Sequence, residues 1–181
     1  MNFETYTDRA RSVIQAAQGL ALKKRHQQFT PEHVLKALLD DDAGLAGNLI
    51  KAAGARPDQV ADLTARAVEA LPAVESASGG SSGQLYLAPK TAEVFSTAEE
   101  AAKKAGDQYV TAERILQALS VVKGTKPADI FKQAGLTPNA LNAAINDLRQ
   151  GRTADSQSAE EGYEALKKYA RDLTEVAREG K

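Results

Sequence analysis

The chain of 181 residues contains no cysteine, which excludes a disulfide framework, a thiolate metal site and a cysteine nucleophile. That absence fits a reducing compartment, and a cytoplasmic location is expected. Histidine is scarce, with only His26 and His33, and no serine sits in a Gly-x-Ser-x-Gly elbow, so nucleophilic catalysis is poorly supported. Aromatic residues make up 5% of the chain, and with β-branched residues also sparse, closely packed helices are favoured over sheets. The formal net charge of −1 provides no general attraction for nucleic acid or anionic lipid, and neither is expected as a partner. No apolar run is long enough to span a bilayer, and the opening Met1-Asn2-Phe3-Glu4-Thr5-Tyr6 has neither the basic start nor the apolar stretch of a signal peptide.

What the chain does have is an internal copy of itself at an offset of 81. Thr30-Pro31-Glu32-His33-Val34-Leu35-Lys36-Ala37-Leu38 falls on Thr111-Ala112-Glu113-Arg114-Ile115-Leu116-Gln117-Ala118-Leu119. Without a gap, Lys51-Ala52-Ala53-Gly54-Ala55-Arg56-Pro57 falls on Lys132-Gln133-Ala134-Gly135-Leu136-Thr137-Pro138. Residues 9–67 match 90–148 at 14 of 59 positions. Helical periodicity alone would not also match a Gly and a Pro at fixed places, so the chain carries a duplicated unit.

Each unit reads as four helices. In the first, Thr7 caps a helix with Ala10, Val13, Ile14, Ala17, Leu20 and Ala21 inward, running to about Arg25. Thr30-Pro31-Glu32 starts a second helix, which Asp40-Asp41-Asp42-Ala43-Gly44 ends. A third runs from about Leu45 to Ala53 and stops at Gly54, and Pro57 opens a fourth that lasts to about Leu71. The second unit repeats the plan, with starts at Pro89, Thr111 and Thr137-Pro138, a stop at Gly106, a break marked by Gly124 and Pro127, and core residues Ile130-Phe131 before Gly135. The expected fold is therefore all-α: two pseudo-repeated four-helix units, eight helices in all, packed as one domain. The expected divisions are 1–71 for the first repeat, 72–84 for a Gly- and Ser-rich connector and 85–150 for the second repeat. Residues 151–181 then form a polar linker and a charged helix over about 160–179.

Candidate chemistry is thin. His26 and His33 are seven apart, but the Thr30-Pro31 helix start falls between them, so a solvated loop histidine and a helix-start histidine are expected rather than a metal pair. Gly79-Gly80-Ser81-Ser82-Gly83 is followed by Gln84-Leu85-Tyr86, not by the Lys-Ser/Thr of a phosphate cradle. The chain itself is expected to bind no cofactor and no metal and to catalyse nothing. Lys23-Lys24-Arg25 is offset by Asp40-Asp41-Asp42, against a DNA-reading helix-turn-helix. Asp107 follows the Gly106 stop and Glu113 lies in the first turn of the next helix, so the two are expected close together, as a loop residue and a helix-dipole partner.

The doubled Thr-x-Glu-x-hydrophobic-Leu-x-Ala-Leu segment, each copy followed by a Gly-x-x-Pro break, resembles the double Clp-N motif. That motif forms the N-terminal domain of the Clp/Hsp100 AAA+ unfoldases. Met1 to Ala10, Gln28 to His33 and Leu71-Pro72-Ala73-Val74 are similar to the ClpB branch, the protein disaggregases. Ala165 to Glu175 followed by Ala177-Arg178-Glu179-Gly180-Lys181 is similar to the lead-in to the first AAA+ module of that family. The resemblance implies a hexameric, ATP- and magnesium-dependent parent that threads aggregated polypeptide through a pore with Hsp70 help. This domain, monomeric in isolation, would engage unfolded or aggregated proteins first. The substrate-binding residues it implies are Thr7, Asp107 and Glu113, beside an apolar groove where the two units meet. The alternative is an adaptor-docking domain of a proteolytic Clp ATPase. At Thr7 and Asp107 the two copies differ, since the offset puts them on Ala88 and His26.

Overall fold

In a computed structural model the described residues are 2–74 and 84–163; most of the expected connector and the expected charged helix beyond residue 163 lie outside them. The eight helices form as expected. They are α1 Asp8–Lys23, α2 Pro31–Asp40, α3 Leu45–Ala52 and α4 Pro57–Glu69, then α5 Pro89–Lys104, α6 Ala112–Val121, α7 Lys126–Gln133 and α8 Pro138–Arg149. Four of them open on a threonine whose hydroxyl accepts a backbone N–H three residues on: Thr7 from Ala10 at 3.2 Å, Thr111 from Arg114 at 3.4 Å, Thr125 from Ala128 at 3.2 Å and Thr137 from Ala140 at 3.1 Å. Pro31, Pro57, Pro89 and Pro138 occupy first helical positions, where a missing N–H costs nothing. The equivalent Gly54 and Gly135 leave α3 and α7 at φ of +93° and +77°, the left-handed conformation that ends a helix cheaply only in glycine.

The copies are joined by a pairing that helical periodicity does not announce. β1 (Gln28–Phe29) runs parallel to β2 (Tyr86–Leu87), with Phe29 opposite Leu87. A second parallel bridge joins Tyr6 to Val110. The offset of 81 carries Tyr6 onto Leu87 and Phe29 onto Val110, so the two pairings are one contact seen twice. The hydrogen bonds repeat as well: Ala88 N–H donates to Phe29 C=O at 3.1 Å, and its counterpart Thr7 N–H to Val110 C=O at 3.0 Å. Each unit's lead-in thus pairs with the other unit's loop, a pseudo-twofold exchange that locks the units together.

The core is continuous across both units. Ile14, Leu35 and Ile50 from the first, and Phe95, Ile115, Leu116, Leu119, Phe131, Leu141 and Ile145 from the second, are fully buried. Tyr6 is also fully buried, in edge-to-face contact with Phe3 and Phe95 at centroid distances of 5.0 and 6.2 Å. Its hydroxyl donates to Glu99 at 2.9 Å, which satisfies the polar end of an otherwise apolar ring. Between units, α3 packs on α8 and α4 on α7.

Candidate functional site: a buried polar cluster under residues 152–163

Thr7, Asp107 and Glu113 converge on one polar cluster. Thr7 caps α1, Asp107 sits in the turn after α5, and Glu113 lies in the first turn of α6. Thr7 joins the cluster through Glu160, while the common partner of the two acids is Arg149, the last residue of α8, whose side chain is 3% exposed. Its Nη1 donates to Asp107 Oδ1 at 2.6 Å, its Nε to Glu113 Oε1 at 3.0 Å, and its Nη2 to Thr111 Oγ1 at 3.0 Å. Arg114 Nε donates to the second Asp107 oxygen at 3.1 Å. Burial acts to raise the Asp107 carboxyl, but hydrogen bonds from Arg149, the Ala154 backbone and Arg114 outweigh it and hold the group below the usual carboxylate range.

The two acids lie close together as expected, but neither side chain is exposed. Glu113 and Thr7 are fully buried, as is the Asp107 side chain. What covers them is the stretch after α8, which the sequence presents as a polar linker. Ala154 N–H donates to Asp107 Oδ1 at 3.0 Å, while Ala154 C=O accepts from Gln108 and Tyr109 at 2.9 and 3.1 Å. Asp8 N–H donates to Gln157 C=O at 2.9 Å. A further helical turn begins at Ala159 and is described to Tyr163. From it the Glu160 carboxylate reaches inward, accepting through Oε2 from Thr7 Oγ1 at 2.6 Å and from Ala112 N–H at 3.0 Å. The Tyr163 ring lies under the Arg149 guanidinium at 5.3 Å.

The cluster holds more acid than base. Burial, and after it the nearby Glu113 charge, push the Glu160 carboxyl above its ordinary range, and burial pushes the Tyr163 phenol up to about 12. Glu113 Oε2, Glu160 Oε1 and the Tyr163 hydroxyl have no hydrogen-bond partner among the described residues. Three unpartnered buried oxygens in one cluster form an incompletely satisfied polar network, which is expensive to keep closed.

The histidines correct another expectation. His26 is not a solvated loop residue: it is 7% exposed and faces the fully buried His33, Nδ1 to Nε2 at 2.8 Å. Because Thr30 N–H donates to His33 Nδ1 at 3.0 Å, that nitrogen is the acceptor, so His33 carries its proton on Nε2 and donates to His26. Burial holds His33 down at about 4 and lowers His26 as well. The offset places His26 and His33 on Asp107 and Arg114, so the neutral histidine bond in one unit stands where the other has an ion pair. No group of three or more metal-ligating side chains forms around either pair among the described residues.

The apolar-floored hollow nearest to expectation lies within the first unit. It has a volume of about 420 Å³, with Val13, Ala16, Leu20 and Ala37 as floor and Asp41 and Asp42 at the rim. Sequence reasoning missed Arg149, Arg114, Glu160 and Tyr163. Arg149 was the most findable, since it follows Ile145 and Leu148 on the inward face of α8.

The family described as Clp repeat (R) N-terminal domain matches residues 5–134. The chain is similar along its whole length to chaperone protein ClpB of Mesorhizobium japonicum, 60% identical, and of Rhodopseudomonas palustris, 55% identical, covering 20% of each. It thus spans about a fifth of the curated relatives it matches. Among solved structures, the Hsp104 N-terminal domain of Candida albicans superposes with a TM-score of 0.74 at 24% identity, covering 87% of this chain and 99% of that one. The N-terminal domain of ClpD from Arabidopsis thaliana gives 0.57 at 23% identity, covering 81% and 98%. At those identities the two structures speak for the fold alone. No helix among the described residues is long and apolar enough to cross a membrane.

Proposed function

The chain belongs to the Clp repeat N-terminal domain family, and from that membership we propose that it is the substrate-recognition domain of a ClpB-type disaggregase. It binds unfolded or aggregated polypeptide and passes it to the pore of an AAA+ parent. The observation that carries this reading is identity above half along the full chain to chaperones of that name. In this reading the parent is a cytoplasmic homohexamer that works with Hsp70, ATP and magnesium belong to its motor modules, and the present stretch is non-catalytic and monomeric in isolation.

Thr7, Asp107 and Glu113 are the residues proposed to engage substrate, supported by their convergence on one cluster drawn from α1, α6 and the turn between α5 and α6. Binding there needs to be weak, because cargo must be released to the motor, and a polar cluster beside apolar side chains suits partners without a common sequence. The test is fluorescence anisotropy with reduced, carboxamidomethylated lactalbumin, a polypeptide that cannot fold. Micromolar or weaker binding is expected, on the order of −8 kcal/mol or less favourable. Thr7→Val and Glu113→Gln, each still folded by circular dichroism, are expected to change that affinity by about threefold or more. No binding by the wild-type chain refutes the reading.

A further inference from the structure

We propose that residues 156–163 are an intramolecular latch on this site: Glu160 sits where an incoming polypeptide would sit, and unfolded substrate binds only when the latch leaves. This rests on the functional reading above and adds its regulation.

The pseudo-twofold separates what belongs to the scaffold from what has been added. The offset puts Ala154 on Ala73, and each lies against the turn that follows the first helix of its own unit, through different hydrogen bonds. Ala73 pairs with His26, with Val74 N–H donating to Arg25 C=O at 2.9 Å, while Ala154 pairs with the turn holding Asp107 and Gln108. The fold-back through Ala154 is therefore part of the duplicated unit. The contacts of Gln157, Glu160 and Tyr163 come after it, on residues of α1, α6 and α8.

The receiving pocket is present in one copy only. The carboxylate of Glu160 is held by the Thr7 hydroxyl and the Ala112 N–H, and the offset carries these two positions onto Ala88 and Pro31. Alanine has no hydroxyl and proline no N–H, so the first unit's equivalent place can donate nothing. Two donors converging on one oxygen, at 2.6 and 3.0 Å, make a site for a carboxylate or a peptide carbonyl in an extended chain. Fully buried Glu113, with one oxygen unpartnered among the described residues, marks capacity for a donor that residues 156–163 do not supply. A polypeptide brings both carbonyls and N–H groups, and can satisfy both sides.

The latch is also built to leave. Of residues 156–163 only Ala159, Glu160 and Tyr163 are buried, while Ser156, Gln157, Ser158, Glu161 and Gly162 are exposed. Three anchors, two of them with an unpartnered oxygen, hold a segment that costs conformational entropy to fix. Substrate affinity is scaled by the fraction of open molecules, so a latch closed nine-tenths of the time weakens apparent binding about tenfold.

The experiment uses the full chain and its variants Glu160→Ala and Tyr163→Ala, with the unfolded lactalbumin as probe. Amide hydrogen exchange at Asp8 and Ala112, which donate to Gln157 and Glu160, reports latch closure. Val110, which donates to Thr5 at 2.8 Å, reports the fold. Expected are faster exchange at Asp8 and Ala112 in both variants with Val110 unchanged, and probe binding tightened by roughly three- to tenfold. Probe added to the wild type is expected to speed exchange within 156–163. Equal affinity of wild type and both variants, with the wild type binding, overturns the latch alone. No binding by any of them overturns the functional reading and the latch together.

Discussion

Replacing Arg149 with methionine isolates the electrostatic logic of the cluster. The guanidinium is 3% exposed and neutralises two carboxylates whose side chains are fully buried, Asp107 at 2.6 Å and Glu113 at 2.9 Å. Methionine keeps most of the length and apolar stem but removes the charge and all five donors. Arg114 remains on Asp107 at 3.1 Å and the Ala154 N–H at 3.0 Å, so that acid keeps one cation and one further donor, whereas Glu113 loses its cation. Removing one member of a buried ion pair typically costs about 3–5 kcal/mol, because the abandoned charge stays desolvated. In a domain of this size that corresponds to a fall in Tm of about 6–20 °C. Urea unfolding followed by circular dichroism gives the free energy directly. The size of the loss should itself depend on pH. In the wild type the depressed Asp107 carboxyl contributes stability that is present above its ordinary range and lost as pH falls through its folded value. In Arg149→Met the buried Glu113 carboxylate left without its cation is relieved by protonation, so the deficit relative to the wild type shrinks as pH falls from 7 towards 5. Adding Glu113→Gln should recover part of the loss at pH 7. A loss below about 1 kcal/mol, the size of an exposed pair, would refute the claim that the cluster depends on Arg149.

The histidine pair predicts a second pH effect. With His33 at about 4 in the fold against 6.5 unfolded, the unfolded state binds the extra proton, so stability is complete above 6.5 and falls as pH drops towards 4. The loss should be about 2–3 kcal/mol, and His33→Gln should flatten that part of the urea-unfolding profile. Gly135→Ala should cost about 1–2 kcal/mol in the same assay, from the left-handed backbone rather than a clash, because a Cβ there would meet nothing within 4 Å.

The scaffold was legible because its signals are local. Threonine caps, first-turn prolines and helix-ending glycines recur at a fixed offset, and each sets backbone geometry without help from distant residues. The Tyr6–Val110 and Phe29–Leu87 pairings were not, since they consist of backbone bonds over one or two residues and leave no alternation to read. Residues 151–158 were misleading for the same reason. Their polar composition reads as a linker, yet Ala154 and Gln157 are held through main-chain N–H and C=O groups, which every residue carries. Asp107 and Glu113 could be brought near each other from the turn between α5 and α6, but their burial could not be anticipated. It depends on Arg149 and Glu160, 36 and 48 residues away from Glu113 and its neighbour Ala112. His26 shows the limit most plainly: its partner is seven residues on, and only the packed turn brings the rings together.

The central claim is that this domain takes unfolded polypeptide at the cluster of Thr7, Asp107 and Glu113. An NMR titration of the labelled chain with the unfolded lactalbumin tests it most directly. The account predicts shifts concentrated at residues 7–8, 107–113 and 156–163. Shifts confined to the hollow between α1 and α2, or no shifts at all, would contradict it.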